Sequence, residues 1–119
     1  MTDSNPDIPL SGLVLDELYD LIASRKGGDP AESYTAQLYA RGTKKIAQKL
    51  GEEAVEAVIA ATTRDRTETI RESADLIYHL LVTWADAGIV PLDVYNEIAR
   101  RKGLSGLAEK SARKGGSAT

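Results

Sequence analysis

Apolar residues in this chain recur at the spacing of helix faces, and no segment alternates with the period of a strand. A first stripe, Leu15, Leu18, Leu21 and Ile22, lies between Leu13 and Lys26 and stops at Gly27-Gly28-Asp29-Pro30. Ser33 to Gly42 reads as a short helical or irregular link. A long helix is expected from about Thr43, taken as its N-cap, to about Thr62, followed by the polar turn Thr63-Arg64-Asp65-Arg66. Asp65, with Glu68 three residues on, forms the pattern of a capping box and opens a second long helix that reaches Ala87 and ends at Gly88. Pro91 suits the first turn of a further helix running to about Lys102. The fold class expected is all-α, a bundle of four to five helices. Residues 1–12 read as a partly disordered leader and 115–119 as a disordered tail around a single domain over 13–114.

Within the first long helix, the stretch KKIAQKLGEEAVEAVIAA places glutamates where packing would favour Leu or Ala. At 100° per residue, with Ile46 at zero, Glu52, Lys45, Glu56, Lys49 and Glu53 fill one arc from about 240° to about 340°. Leu50, Ala54, Ala57 and Val58 border it on one side, Val55 and Ile59 on the other. A solvated face is normally wider and lacks branched aliphatics at both edges, so the arc reads as a polar stripe in a largely buried helix. The second long helix repeats the design. Glu68, Glu72, Asp75, His79, Thr83 and Asp86 share an arc about 80° wide, and Ile70, Ala74, Leu76, Ile77, Leu80, Leu81 and Trp84 cover the rest. Tyr78 and Trp84 read as core or interface residues.

Two consecutive helices joined by a short turn pack antiparallel, which brings Glu52, Glu53, Glu56, Glu72 and Asp75 together if the stripes face. Either stripe alone would pass for a solvent-exposed salt-bridge face; two narrow stripes on consecutive helices in apolar surroundings weigh against that reading. Five ionised carboxylates cannot share one buried site without protonation or a cation. An oxygen-only donor set with the spacings EExxE and ExxD suits a hard divalent ion, Mg²⁺ or Mn²⁺, which commonly also binds a substrate phosphate. His79, one turn past Asp75, reads as a hydrogen-bond partner behind the carboxylates rather than a ligand. Lys45 and Lys49, ahead of the glutamates, suit a polyphosphate arriving at the metal.

Composition narrows the classes further. The chain has 119 residues, no Cys or Phe and one Trp, which excludes a disulfide framework, thiolate metal ligation and a cysteine nucleophile. The formal net charge of -3 gives no global basic field for a polyanion such as DNA, so nucleic acid is not an expected partner. The opening residues lack the features of a signal peptide, and no apolar run approaches the roughly 20 residues that span a bilayer. The expectation is a cytoplasmic protein without membrane contact. Gly27-Gly28 opens no helix of the phosphate-cradling type, so nucleotide binding must rest on metal and basic side chains.

These residues resemble a known family. GEEAVE followed by ESAD is similar to the EExxE and ExxD signature of the all-α NTP pyrophosphatases, the MazG-like superfamily. The stretches SYTAQLYARGTKKIAQKLGEEAVE, ESADLIYHLLVTW and RRKGLSGLAEKSARK narrow the resemblance to its phosphoribosyl-ATP pyrophosphatase family, over about Leu13 to Lys114. The resemblance implies a homodimer or higher assembly that completes the bundle, with Val55, Ile59, Leu81 and Trp84 as bordering apolar residues. It also implies Mg²⁺-dependent cleavage of 1-(5-phosphoribosyl)-ATP to 1-(5-phosphoribosyl)-AMP and pyrophosphate. By motif position, Glu53, Glu56, Glu72 and Asp75 would hold metal, and Glu52, or Glu53 in a double role, would orient or deprotonate the attacking water. Lys45 and Lys49 are the candidates for the β and γ phosphates. Arg41, Arg100, Arg101 and Lys102 are the candidates for the ribose 5-phosphate end. The competing readings are a housecleaning pyrophosphatase of other nucleotides with the same carboxylates, and a metal-binding helical oligomerisation module without turnover.

Overall fold

The computed structural model describes residues 11–102, and every regular element among them is a helix. They are α1 (Leu13–Ser24), α2 (Tyr34–Arg41), α3 (Thr43–Thr62), α4 (Arg66–Asp86) and α5 (Pro91–Arg101). The chain divides into two compact units, one reaching Ile89 and the other beginning at Val90. Most of the expected leader, the 115–119 tail and the SGLAEK segment lie outside the described residues.

The first unit is a four-helix assembly in which α3 and α4 form an antiparallel hairpin, α1 packs on α4 and α2 on α3. Its core joins Ile22 of α1, Leu38 of α2, Ile46 of α3 and Leu81, Val82 and Ala85 of α4, with Leu18, Tyr19, Tyr39, Tyr78 and Trp84 packed around them. The reading of Tyr78 and Trp84 as core residues therefore holds. Leu81, expected at the border with a second copy, is instead spent on the chain's own core with 1% of its surface exposed. The opposite applies to α3: Val55, Val58 and Ile59 are exposed, so its apolar borders are not buried within the chain.

Local chemistry explains the boundaries. Ser33 is extended and its hydroxyl accepts from the Ala36 amide, which nucleates α2 where a link was expected. Gly42, not Thr43, caps α3: its φ of 93° lets one residue end α2 and begin α3 without a break. Thr43 enters the helix and donates its hydroxyl to Asp86 Oδ2 at 2.8 Å. Asp65 caps α4 by accepting from the Glu68 amide at 3.0 Å, but the reciprocal half of the box is missing because the Glu68 carboxylate pairs with Arg71. α1 stops at Ser24, two residues short of the expected end.

The α3–α4 turn contains Arg64 at φ 59°, the one non-glycine residue with positive φ among the described residues. A side chain there costs roughly 1–2 kcal/mol, partly offset on replacement by the greater unfolded freedom of Gly. Arg64→Gly is expected to stabilise the protein by up to about 1 kcal/mol, read as a higher urea midpoint at unchanged slope. An unchanged or lower midpoint would mean that the Arg64 side chain contributes something the turn geometry does not reveal.

In the second unit, Pro91 opens α5 and the Asp93 carboxylate accepts from the Val90 amide at 3.0 Å. Near the helix end Glu97 accepts from Arg100 and Arg101, at 2.7 and 2.8 Å for the shorter contacts. Those hydrogen bonds hold the Glu97 carboxyl well below its usual range, at about 2.

Candidate active site

The i, i+3 spacing of Glu53 and Glu56 puts both on the α3 face that meets α4, where Glu72 faces them. One carboxylate oxygen from each of these three residues lies within 4.8 Å of the others. Glu53 is buried, Glu72 half-buried and Glu56 exposed, so the cluster opens to solvent along one side. Glu72 Oε1 is shut off from solvent and has no hydrogen-bond partner among the described residues. Its carboxyl pKa is raised, first by burial, then by the charge and close approach of Glu56, and further by Asp75 and Glu53.

The other two expected members stand apart. Asp75 is exposed and outside the 4.8 Å group, although its charge reaches Glu72. Glu52 is turned along its own helix, accepting from Gln48 Nε2 at 2.7 Å and Lys49 Nζ at 3.1 Å. These two hydrogen bonds lower its pKa, Gln48 being the larger cause. Glu52 with Gln48, Gly51, Val55 and Glu56 lines a broad open depression along α3. The 100° arc counted Glu52 in because angular position alone does not say which edge of a stripe meets the partner helix.

On the other side of the cluster, one to two turns back along α3, lies a cleft of about 150 Å³. Its lining brings together Arg41 from α2 and Lys45 and Lys49 from α3, three of the basic residues singled out in the sequence. Lys49 is half-buried, and its ammonium pKa is raised chiefly by the hydrogen bond to Glu52. Arg100 and Arg101 belong to the second unit and bind Glu97, with Lys102 directly after them.

His79 does not touch the carboxylate cluster. It is buried, with Nδ1 2.9 Å from the Asp75 carbonyl oxygen and Nε2 3.2 Å from the Tyr34 hydroxyl. Tyr34 lines the basic cleft and stacks on Tyr78 with ring centroids 6.3 Å apart. Tyr78 in turn shares a hydrogen bond with Thr35. Tyr34 is thus a site residue that the sequence reading passed over. Its hydroxyl meets His79 across 45 positions of sequence, a contact that helical periodicity does not reveal.

The donor set fits a hard divalent cation: carboxylate oxygens alone, from two rigid helices, with one buried oxygen lacking a partner. An all-α domain with such a cluster beside a cationic cleft has the donor chemistry of a phosphate-handling hydrolase. The chain matches the phosphoribosyl-ATP pyrophosphohydrolase family over residues 15–102, which includes every residue of the cluster and the cleft. It is 58% identical over 105 residues to a phosphoribosyl-ATP pyrophosphatase of Azospirillum brasilense, covering 88% of this chain and 95% of that one. The corresponding protein of Paramagnetospirillum magneticum is 60% identical over 100 residues, 84% of this chain and 92% of its own. A histidine biosynthesis bifunctional protein HisIE of Pasteurella multocida is 57% identical over 89 residues, 75% of this chain and 44% of that longer one. The chain belongs to the phosphoribosyl-ATP pyrophosphohydrolase family.

Proposed function

We propose that this chain hydrolyses 1-(5-phosphoribosyl)-ATP to 1-(5-phosphoribosyl)-AMP and pyrophosphate, a step of histidine biosynthesis in the cytoplasm. The observation that carries this reading is the convergence of Glu53, Glu56 and Glu72 within 4.8 Å beside a cleft lined by Arg41, Lys45 and Lys49. Names and identities of the relatives support the substrate.

Glu53, Glu56 and Glu72 would hold Mg²⁺, or Mn²⁺, with Asp75 joining them after a turn of its side chain. The ion, when bound, neutralises charge on the phosphoryl group under attack and makes water a better nucleophile. Lys45 and Lys49 take the β and γ phosphates and stabilise the negative charge that gathers on the departing pyrophosphate. Arg41 stands at the same cleft as a third phosphate donor. Glu53, the most buried of the three carboxylates, orients the attacking water and accepts its proton on a free carboxylate oxygen. Glu52, held as an anion by Gln48 and Lys49, is poorly placed for that role and instead tethers Lys49 at the cleft. His79 acts through Tyr34 rather than on the carboxylates.

A second copy of the chain is the proposed cover for Val55, Val58 and Ile59 on α3 and Ile70 and Ile77 on α4, all of them exposed in the single chain. No helix among the described residues is long and apolar enough to cross a membrane.

The test is pyrophosphate release with Mg²⁺ from phosphoribosyl-ATP, ATP and dUTP at equal concentration. The expected result is a rate with phosphoribosyl-ATP at least about a hundredfold above the others, since a site that recognises the second ribose phosphate loses that binding with the plain nucleotides. Faster turnover of dUTP or ATP would keep the chemistry and reject the pathway. No turnover of any of them would leave a binding module.

A further inference from the structure

The basic cleft is walled by Tyr34, Gln37, Leu38, Arg41, Lys45 and Lys49, three cations with no carboxylate among them. Such a wall repels itself, and each cation needs an acceptor to fix its direction. A carboxylate would fix a lysine but also offset part of its charge, as Glu52 does for Lys49 at 3.1 Å. A neutral oxygen can orient a cation and leave its charge for the ligand. The side-chain oxygens on this wall belong to Gln37, whose amide nitrogen is tied to the Pro30 carbonyl at 2.9 Å, and to Tyr34.

The proton of the Tyr34 hydroxyl is already committed. His79 Nδ1 lies 2.9 Å from the Asp75 carbonyl, which can only accept, so Nδ1 carries the hydrogen. In the neutral ring Nε2 is then an acceptor, and the Tyr34 hydroxyl 3.2 Å away donates to it. The oxygen of Tyr34 is left with lone pairs alone, on a wall where the neighbouring side chains are mostly cationic donors. The ring is held as well, by its stack on Tyr78 and its edge contact with His79 at 6.0 Å.

Resting on the substrate reading above, we propose that Tyr34, fixed by His79, is a positioning residue for the pyrophosphate arm of the substrate. Its oxygen accepts from a cleft lysine and turns that ammonium toward the phosphates without neutralising it. The pair also ties α2, which carries Arg41, to α4, which carries Glu72, and so sets the spacing between the cationic wall and the carboxylates.

The experiment is a calorimetric titration of inorganic pyrophosphate, in Mg²⁺ buffer, into the wild-type chain, Tyr34→Phe, His79→Asn and the double variant. Steady-state kinetics on phosphoribosyl-ATP accompany it. Phe keeps the ring stack, and Asn keeps an amide donor for the Asp75 carbonyl while deleting Nε2. Each single variant is expected to weaken pyrophosphate binding by about tenfold, the loss of one hydrogen bond to a charged group. The double variant should be no worse than the worse single one, because both act through the same bond. KM should rise in parallel, with kcat within about twofold and the melting temperature of Tyr34→Phe unchanged, a split that a merely structural role would not produce. Pyrophosphate binding by Tyr34→Phe within about twofold of wild type, additive single effects, or no binding by the wild type would each overturn the proposal. The titration needs no turnover. If phosphoribosyl-ATP is not cleaved yet Tyr34→Phe loses pyrophosphate, the substrate reading fails and the role of Tyr34 stands.

Discussion

Replacing Glu72 by Gln is expected to abolish pyrophosphate release while making the metal-free protein more stable. Both effects have one origin. Glu72 is a half-buried carboxyl facing Glu53 and Glu56, with one oxygen that no hydrogen bond among the described residues satisfies. Burial and these neighbours, with Asp75, raise its pKa above 4.5. A carboxyl whose folded pKa is raised binds more protons folded than unfolded, so stability falls as pH rises from 4.5 through the raised value and stays lower above it. At neutral pH the ionised group therefore weakens the metal-free fold, and neutral Gln removes that penalty. With Mg²⁺ present the order should reverse, because the wild type gains binding free energy that the variant has lost. Turnover should drop by at least about a hundredfold, as expected when an oxygen donor is deleted from a divalent-ion site. Thermal melts at pH 4 and pH 7, with EDTA and with MgCl₂, check the stability half. If Glu72→Gln melts lower than wild type in EDTA at pH 7, the cluster is not a strained anionic site and the cation reading loses its physical basis.

The same site shows how far helical periodicity reaches. Helix boundaries were legible because their signals are local: Asp65 before α4, Pro91 at the start of α5 and the glycines at 27 and 28 each act on their own backbone. The carboxylate pairing was legible because a three-residue turn leaves α3 and α4 no alternative to an antiparallel hairpin. What periodicity lacks is the rotation of one helix against the other. That rotation puts Glu53 against α4 and leaves Glu52 with Lys49, although the two are adjacent in sequence. It also decides that Leu81 faces the core while Val58, also apolar, stays exposed. The Tyr34–His79 contact joins residues 45 positions apart on different helices, and no local pattern encodes it.

Residues along α3 follow an electrostatic order that the proposed mechanism would use. Lys45 and Lys49 come first, Glu53 and Glu56 follow at intervals of about one turn, each on the face toward the cleft or α4. In the proposed binding mode a phosphoanhydride laid along the helix would have its leaving phosphates over ammonium groups and its reacting phosphorus over carboxylates. The hydrogen bond between Lys49 and Glu52 adds a tether beside this track, since the lysine is held at the boundary between the two charges. Such a solvent-accessible pair contributes little to stability and would serve mainly to place the charge.

The stability of this arrangement rests on a small core, which makes Leu81→Ala the most destabilising single truncation expected. Leu81 is 1% exposed and belongs to one buried cluster with Ile22, Leu38, Ile46, Val82 and Ala85, residues drawn from all four helices of the first unit. Deleting its branched end opens a cavity in the cluster that joins the four helices, and close packing leaves little room for them to collapse into it. The expected loss is about 2–5 kcal/mol, set against a total of about 5–15 kcal/mol for a domain. That corresponds to a fall in melting temperature of roughly 10 °C or more. Leu81 lies more than two turns beyond Glu72 on α4, so pyrophosphate release per folded molecule at low temperature should stay near the wild-type value. A fall of only a few degrees would show that the six buried residues are not the centre of cooperativity, and that stability resides in surface covered by another copy of the chain.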